Sequence, residues 1–254
     1  MKFESAFRRH LIRRAAYSRD LGPQELWSVI DQWPLYCGQY QLSRHLAIID
    51  LVREILGVPG DVAEFGTWRG ATAMLVAKVL HTYQPHDSKM VHCFDTFHGL
   101  EDFLPQDGPA SGFSGEWAGS AEELRAMIRL HELEDAIVVH RGRIEETLPQ
   151  LLAARPELSF CFAYCDADLY GPTAAVLEHL PPRLLPGGLL AFDEWNCDVF
   201  PGEGIAVGEF LSRAGPAFKA RAVSTAAQPS LVLEKKEWGG TPVELAGIPP
   251  PATT

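Results

Sequence analysis

Residues 62–73 read VAEFGTWRGATA, and this stretch decides the fold. A short apolar run ends on Glu64 and Phe65, turns through Gly66, and passes Gly70 into a run of small residues suited to a helix. The pattern predicts a strand over Val62–Phe65 and a helix over Ala71–His81. Glycines at 66 and 70 stand where the backbone must turn tightly and let a ligand approach, so a nucleotide-like ligand is the natural occupant. The nicotinamide fingerprint needs G-x-G-x-x-G, whereas this turn is G-x-x-x-G and follows an acidic residue. An NAD(P)-dependent oxidoreductase is therefore the weaker alternative, and a non-catalytic nucleotide-binding protein is a third.

Outward from this unit, strand runs over Val91–Phe94, Ala136–His140, Phe160–Cys165 and Leu189–Phe192 alternate with helical stretches at Ala121–Leu130, Glu145–Ala154 and Pro172–Leu180. Alternation of this kind builds a parallel sheet covered on both faces. Ser120 and Glu123 form a capping box, and Pro186-Gly187-Gly188 reads as a turn feeding the fifth strand. The rhythm then changes to a helix near Glu203–Ser212 and two runs, Ala217–Ser224 and Leu231–Lys235, separated by Gln228-Pro229, which predict an antiparallel hairpin. Ahead of the first strand, Leu42, Leu46, Ile49, Leu51, Val52 and Ile55 lie at helical spacing and predict a helix packed on the sheet. The expected organisation is an N-terminal helical extension over 1–40, an α/β domain over 41–237 and a Pro-rich, extended tail over 238–254. Within the domain, the glycine-rich stretch 99–119 reads as a lid rather than a packed element.

The 254 residues suit one large α/β domain with an appendage. With 22 Lys and Arg against 33 Asp and Glu, the net charge of −11 argues against a grip on nucleic acid phosphates or an anionic membrane surface. No apolar run is long enough to span a membrane. The 5 cysteines are scattered and mostly set in apolar runs, as reduced core thiols are, and no CxxC pair supports zinc. Together with the lack of a secretory signal pattern at the Arg-rich N-terminus, this places the expected location in the cytoplasm.

Three places carry candidate chemistry. Glu64, Gly66, Thr67 and Gly70 form the first turn. Asp95 ends the second strand beside it, where a carboxylate can accept hydrogen bonds from ribose hydroxyls. Strand four ends in CDADLYGPT and strand five in FDEWN, so Asp166, Asp168, Asp193 and Glu194 gather at one sheet edge. If the fourth strand continues, Asp166 and Asp168 face the same side. Four carboxylates together repel unless protons or a cation compensate, and an all-oxygen cluster suits Mg²⁺. Tyr170 and Trp195 beside the cluster are candidates for an apolar platform under a sugar ring.

The segments GDVAEFGTWRGATA, GRIEETLP, DADLYGPT and LPGGLLAFDEW resemble the macrocin O-methyltransferase family, which tailors antibiotic sugars, and the resemblance runs from about Gln41 to Leu211. It implies a Rossmann-like class I S-adenosylmethionine-dependent methyltransferase: α/β, with a seven-stranded, mostly parallel sheet and a terminal antiparallel hairpin. It further implies that Glu64, Gly66, Thr67 and Gly70 line the cofactor and that Asp95 holds the ribose. Asp166, Asp193 and Glu194 would hold Mg²⁺. Asp168 would be the general base, although base and ligand are interchangeable between Asp166 and Asp168. Where the family commonly has Asp-Asp after strand five, this chain has Asp193-Glu194. The implied partners are a small glycoside or polyol acceptor and a second copy of the chain in a homodimer or higher oligomer.

Overall fold

The computed structural model describes residue 12 and residues 26–86, 89–214 and 217–236. Residues 1–25 apart from 12, and the tail over 238–254, lie outside the described residues, so the readings placed there stay as sequence expectations. Two short helices, α1 (Leu26–Asp31) and α2 (Trp33–Tyr36), lead into α3 (Gln39–Glu54). The alternating part follows: β1 (Asp61–Phe65), α4 (Ala71–Tyr83), β2 (Val91–Asp95), α5 (Ala121–Leu130), β3 (Ile137–Arg141), α6 (Ile144–Ala154), β4 (Phe160–Cys165), α7 (Tyr170–His179) and β5 (Leu184–Phe192). Then come α8 (Pro201–Ala214) and the hairpin strands β6 (Phe218–Ala222) and β7 (Leu231–Lys235).

The seven strands are ordered β3-β2-β1-β4-β5-β7-β6. The first five run parallel, and β7 enters antiparallel between β5 and β6, as the hairpin prediction required. The order reverses direction between β1 and β4, and a ligand crevice opens at the carboxyl edge of such a switch point.

Alternation along the buried strands divides the core into two layers. Ala63, Phe65, Ala163, Cys165, Leu190 and Phe192 pack with α6, α7 and α8. Val62, Phe162, Tyr164, Leu189 and Ala191 pack on the other face with α3, α4 and α5. Glu64 lies directly opposite Tyr164 in the register and shares its parity, which assigns both to the α3 face.

Several local expectations change. The fifth strand begins earlier than predicted, and Pro186-Gly187-Gly188 lies inside β5 as an irregularity rather than before it. Phe160 pairs with Leu184 and Phe162 with Leu189, so the extra residues bulge out without ending the strand. In α3 the buried stripe is Ala47, Ile48, Leu51 and Val52, continued by Ile55, whereas Leu42 and Leu46 are exposed. One turn upstream of Ile48 on the buried side stands Arg44.

The stretch 99–119 holds a packed element at its middle, a 3-10 helix over Pro105–Phe113. Asp107 is buried there and accepts hydrogen bonds from the backbone N–H groups of Leu104 (2.6 Å) and Tyr170 (2.7 Å). Phe113 and Trp117 meet the Phe200 ring at 5.3 and 5.7 Å. The ends of the stretch, Gly99–Asp102 and Trp117, line the crevice.

Candidate functional site

A cavity of about 630 Å³ opens at the carboxyl edge of β1, β2, β4 and β5. Its size and mixed lining suit a small-molecule ligand. Glu64, Gly66, Thr67, Asp95, Asp166, Asp168, Asp193 and Glu194 all line it, so the structure brings together every predicted site residue except Gly70. Gly70 takes φ +84° at the start of α4, and a side chain there would meet Leu124 Cδ1 at 2.2 Å. Its positive φ at helix entry and the close packing of Leu124 account for the glycine. Gly66 takes φ +85° and lies against the Asp166 carbonyl, where an added Cβ would come within 1.8 Å of the oxygen. That contact closes the β1 turn onto the β4 turn and sets the first cavity wall.

The β1 side has polar groups waiting for a partner. Glu64 Oε2 and Thr67 Oγ1 are buried without a hydrogen bond among the described residues. Burial, reinforced by Asp166, pushes the Glu64 carboxyl up to about 8. Asp95 accepts hydrogen bonds from the N–H groups of Trp68 and Phe97, both at 2.6 Å, and so holds two residues with positive φ. Each carboxylate oxygen keeps a second lone pair, which leaves room to accept from a ligand hydroxyl. Burial raises the Asp95 carboxyl, and the Trp68 and Phe97 amides pull it part of the way back.

The β4–β5 side is different. Arg44 donates from Nη2 to Asp166 Oδ2 at 2.5 Å, and from Nη1 to Asp193 Oδ2 and Gln228 Oε1, each at 3.2 Å. Its guanidinium lies 5.7 Å from the Tyr164 ring centroid. Asp193 is 1% exposed, and its Oδ1 accepts from the Tyr164 hydroxyl. Glu194 accepts from Gln228 Nε2, its backbone N–H donates to Glu203 Oε1 at 2.6 Å, and Gln228 Oε1 also accepts from the Tyr40 hydroxyl. Burial works against the Arg44 charge, but Asp193 and Asp166 outweigh it and hold its pKa well above the ordinary arginine value. Burial and Asp166 push the Asp193 carboxyl far up, and burial raises Glu194.

The cluster thus answers its own repulsion with a guanidinium and with protons. As placed, it does not fit Mg²⁺. Asp193 has both oxygens engaged, Asp166 is held by Arg44, and among the described residues no three carboxylate, imidazole or thiol groups converge as a metal requires. The ligand set Asp166, Asp193 and Glu194 is therefore not assembled around a common point, because Arg44 stands between the two aspartates.

The two aspartates that sequence left interchangeable differ in their surroundings. β4 ends at Cys165, so the expected continuation through Asp168 does not occur. Asp166 keeps the strand pairing by donating its N–H to Phe65 O at 2.8 Å, whereas Asp168 turns into the left-handed region at φ +60°. Both side chains still reach the cavity. Asp168 makes no hydrogen bond among the described residues, and burial together with Asp166 and Glu194 pushes its carboxyl well above the usual range.

Neither residue of the expected aromatic platform, Tyr170 or Trp195, lines the cavity. Trp195 is 5% exposed within the core, and the Tyr170 hydroxyl donates to Glu209 at 2.8 Å. The aromatic side chains that do line the cavity include Trp68, Trp117 and Phe200. Sequence reasoning missed Tyr40, Arg44, Tyr164 and Gln228. The available signal was parity: Tyr164 and Asp166 sit on the same strand face as Glu64, and Arg44 sits four residues before Ile48.

Comparison with known proteins adds three findings. A family model described as macrocin-O-methyltransferase matches residues 33–214. Two curated relatives are each 30% identical: a Streptomyces olivaceus protein named 8-demethyl-8-(2,3-dimethoxy-alpha-L-rhamnosyl)-tetracenomycin-C 4'-O-methyltransferase, over 150 residues covering 56% of either chain, and Mycinamicin III 3''-O-methyltransferase of Micromonospora griseorubida, over 168 residues covering 63% of either. The chain therefore spans under two thirds of the length of these relatives. The crystal structure of a calicheamicin methyltransferase superposes with a TM-score of 0.75 at 30% identity, covering 89% of this chain and 91% of that one.

Proposed function

The chain belongs to the macrocin-O-methyltransferase family, and from that premise we propose that it transfers a methyl group from S-adenosylmethionine to a hydroxyl on the sugar of a glycosylated natural product. The names of both curated relatives, O-methyltransferases of a rhamnosyl-tetracenomycin and of mycinamicin III, support the acceptor class. The observation that carries the mechanism is the division of labour between two neighbouring carboxylates: Asp166 is held by a guanidinium, and Asp168 has no hydrogen-bond partner among the described residues.

On this reading the β1 side binds the cofactor. Glu64 Oε2 and Thr67 Oγ1 gain the partners they lack, and Asp95 accepts from the ribose hydroxyls. S-adenosylmethionine supplies an electrophilic methyl group on a sulfonium. Asp168 orients the acceptor hydroxyl and takes its proton as the O–CH₃ bond forms and the S–CH₃ bond breaks, leaving S-adenosylhomocysteine. Burial beside Asp166 and Glu194 raises the Asp168 carboxyl above the usual range, so once ionised it is a stronger base than an ordinary aspartate, which suits a weakly acidic sugar hydroxyl. Trp68 and Trp117, both partly exposed at the cavity, give an apolar surface for the acceptor. A homodimer belongs to the same reading, supported by apolar side chains exposed on α1 and α2 at Leu26, Trp27, Ile30, Trp33 and Leu35.

Calorimetric titration with S-adenosylhomocysteine tests the cofactor half, with NAD and NADP as controls. Mass spectrometry of glycosides incubated with S-adenosylmethionine tests the acceptor half. Binding of S-adenosylhomocysteine alone, followed by gain of one methyl on the sugar, is expected. Binding of a nicotinamide dinucleotide instead would return the oxidoreductase reading.

A further inference from the structure

We propose that Arg44 is the resident cation of this site, holding the acceptor oxygen and stabilising its developing negative charge, in the place where the family resemblance implies Mg²⁺. The inference rests on the methyl-transfer reading and deepens it.

Arg44 enters from α3, on the buried side of the helix, and reaches both aspartates that were expected to share a metal. Its three hydrogen bonds use both Nη1 protons and one Nη2 proton. One Nη2–H and the Nε–H carry no partner among the described residues, and Arg44 lines the cavity beside Asp168. A guanidinium stays charged at every working pH and presents fixed, directional donors, so it can support an oxyanion without any ion being recruited.

The surroundings are built for that group. Tyr164 lies 5.7 Å beneath it and donates its hydroxyl to Asp193, occupying the oxygen that Arg44 leaves. Gln228 accepts from Arg44 and donates to Glu194, so the residue standing where the family has its second aspartate is drawn to an amide. A dication entering between Asp166 and Asp193 would have to break the bonds Arg44 makes to both and then sit against a like charge. The proton still leaves to Asp168, and Arg44 gives up none of its own.

The test uses the full chain with S-adenosylhomocysteine bound. In a Mn²⁺ titration followed by electron paramagnetic resonance, the free-ion spectrum of the wild type should stay undiminished, and methyl transfer should be the same in EDTA as in Mg²⁺. Arg44→Met should lower turnover about 10²- to 10³-fold, the cost of removing an oxyanion donor, with S-adenosylhomocysteine affinity retained. Arg44→Lys, which keeps the charge but not the fork, should recover part of that loss. Stoichiometric Mn²⁺ binding by the wild type, abolished in Asp193→Asn, overturns the proposal; so does EDTA-sensitive turnover restored by Mg²⁺. If Arg44→Met does not fold, the wild-type titration decides alone. Methyl transfer absent with every glycoside, while S-adenosylhomocysteine binds, would count against the acceptor reading, and the Mn²⁺ result would still judge Arg44.

Discussion

The two halves of the cavity hold their acidic side chains differently, although each has a buried carboxylate oxygen without a hydrogen bond among the described residues, Glu64 Oε2 in the first and Glu203 Oε2 behind the second. On the β1 side, Glu64 Oε2 and Thr67 Oγ1 are buried without a hydrogen bond of ordinary length among the described residues. On the β4–β5 side, Asp166, Asp193 and Glu194 are all hydrogen bonded within the protein, through Arg44, Tyr164 and Gln228. An unpaired buried polar group costs stability until something binds it, so the first half is poised for a ligand that brings its own hydrogen bonds. The second half is already organised, and what it offers a ligand is a fixed field. Asp168 stands at the boundary, on the second half but unpaired like the first.

The sharpest way to break the comparison is at that boundary. Asp168→Asn should lower methyl transfer about 10²- to 10⁴-fold, as loss of a general base does, without weakening S-adenosylhomocysteine by calorimetry. A loss of affinity with turnover kept at saturation would move Asp168 to the binding half. The next effect concerns Asp95, whose removal frees the Trp68 and Phe97 amides and deletes the ribose acceptor. Asp95→Ala should weaken S-adenosylhomocysteine by about 2 kcal/mol, roughly 30-fold, since hydrogen bonds to a charged group are worth about 1.5–3 kcal/mol each. Unchanged affinity would leave Asp95 as a turn residue only.

Tyr164→Phe probes the organised half through stability alone. It leaves the buried Asp193 Oδ1 without its donor, so denaturant unfolding should show a loss of about 1–3 kcal/mol. An equivalent Thr67→Val change on the β1 side removes a hydroxyl that makes no hydrogen bond of ordinary length among the described residues and only eases the neighbouring Glu64 carboxyl, so its cost in the ligand-free protein should be smaller. Equal losses at both positions would erase the distinction between the halves.

A further effect is one of pH. Glu64 is pushed up to about 8 from an ordinary value of 4.5, so between those limits the folded protein binds a proton that the unfolded chain has released. Its contribution to the stability of the ligand-free protein is complete below pH 4.5 and declines as pH rises through 8. Glu64→Gln should flatten that part of the pH–stability curve. A slope unaltered by the substitution would assign it to other groups.

Much of this was legible in the chain. The βα alternation placed all five parallel strands and the helices between them, and the change of rhythm after Phe192 placed the hairpin, because period and turn residues are local properties. Glu64, Asp95, Asp166, Asp168, Asp193 and Glu194 were legible as a site for a topological reason: residues just beyond the carboxyl ends of parallel strands converge at the switch point. The bulge in β5 was not legible, since Pro186-Gly187-Gly188 signals a turn as strongly as it permits an irregular strand. Nor was the buried face of α3, because Leu42 and Leu46 continue the apolar spacing yet point outward, while the buried stripe passes through Arg44.

Sequence by itself determined which carboxylates meet, since strand order and parity leave them few other places to go. Only the tertiary structure decided what answers their charge. Arg44 lies 122 residues from Asp166 and 149 from Asp193, and Gln228 lies 34 from Glu194. No local pattern links such residues. They meet because α3 and the β6–β7 connection close over the same sheet edge, where burial makes an uncompensated carboxylate too costly to leave unpaired.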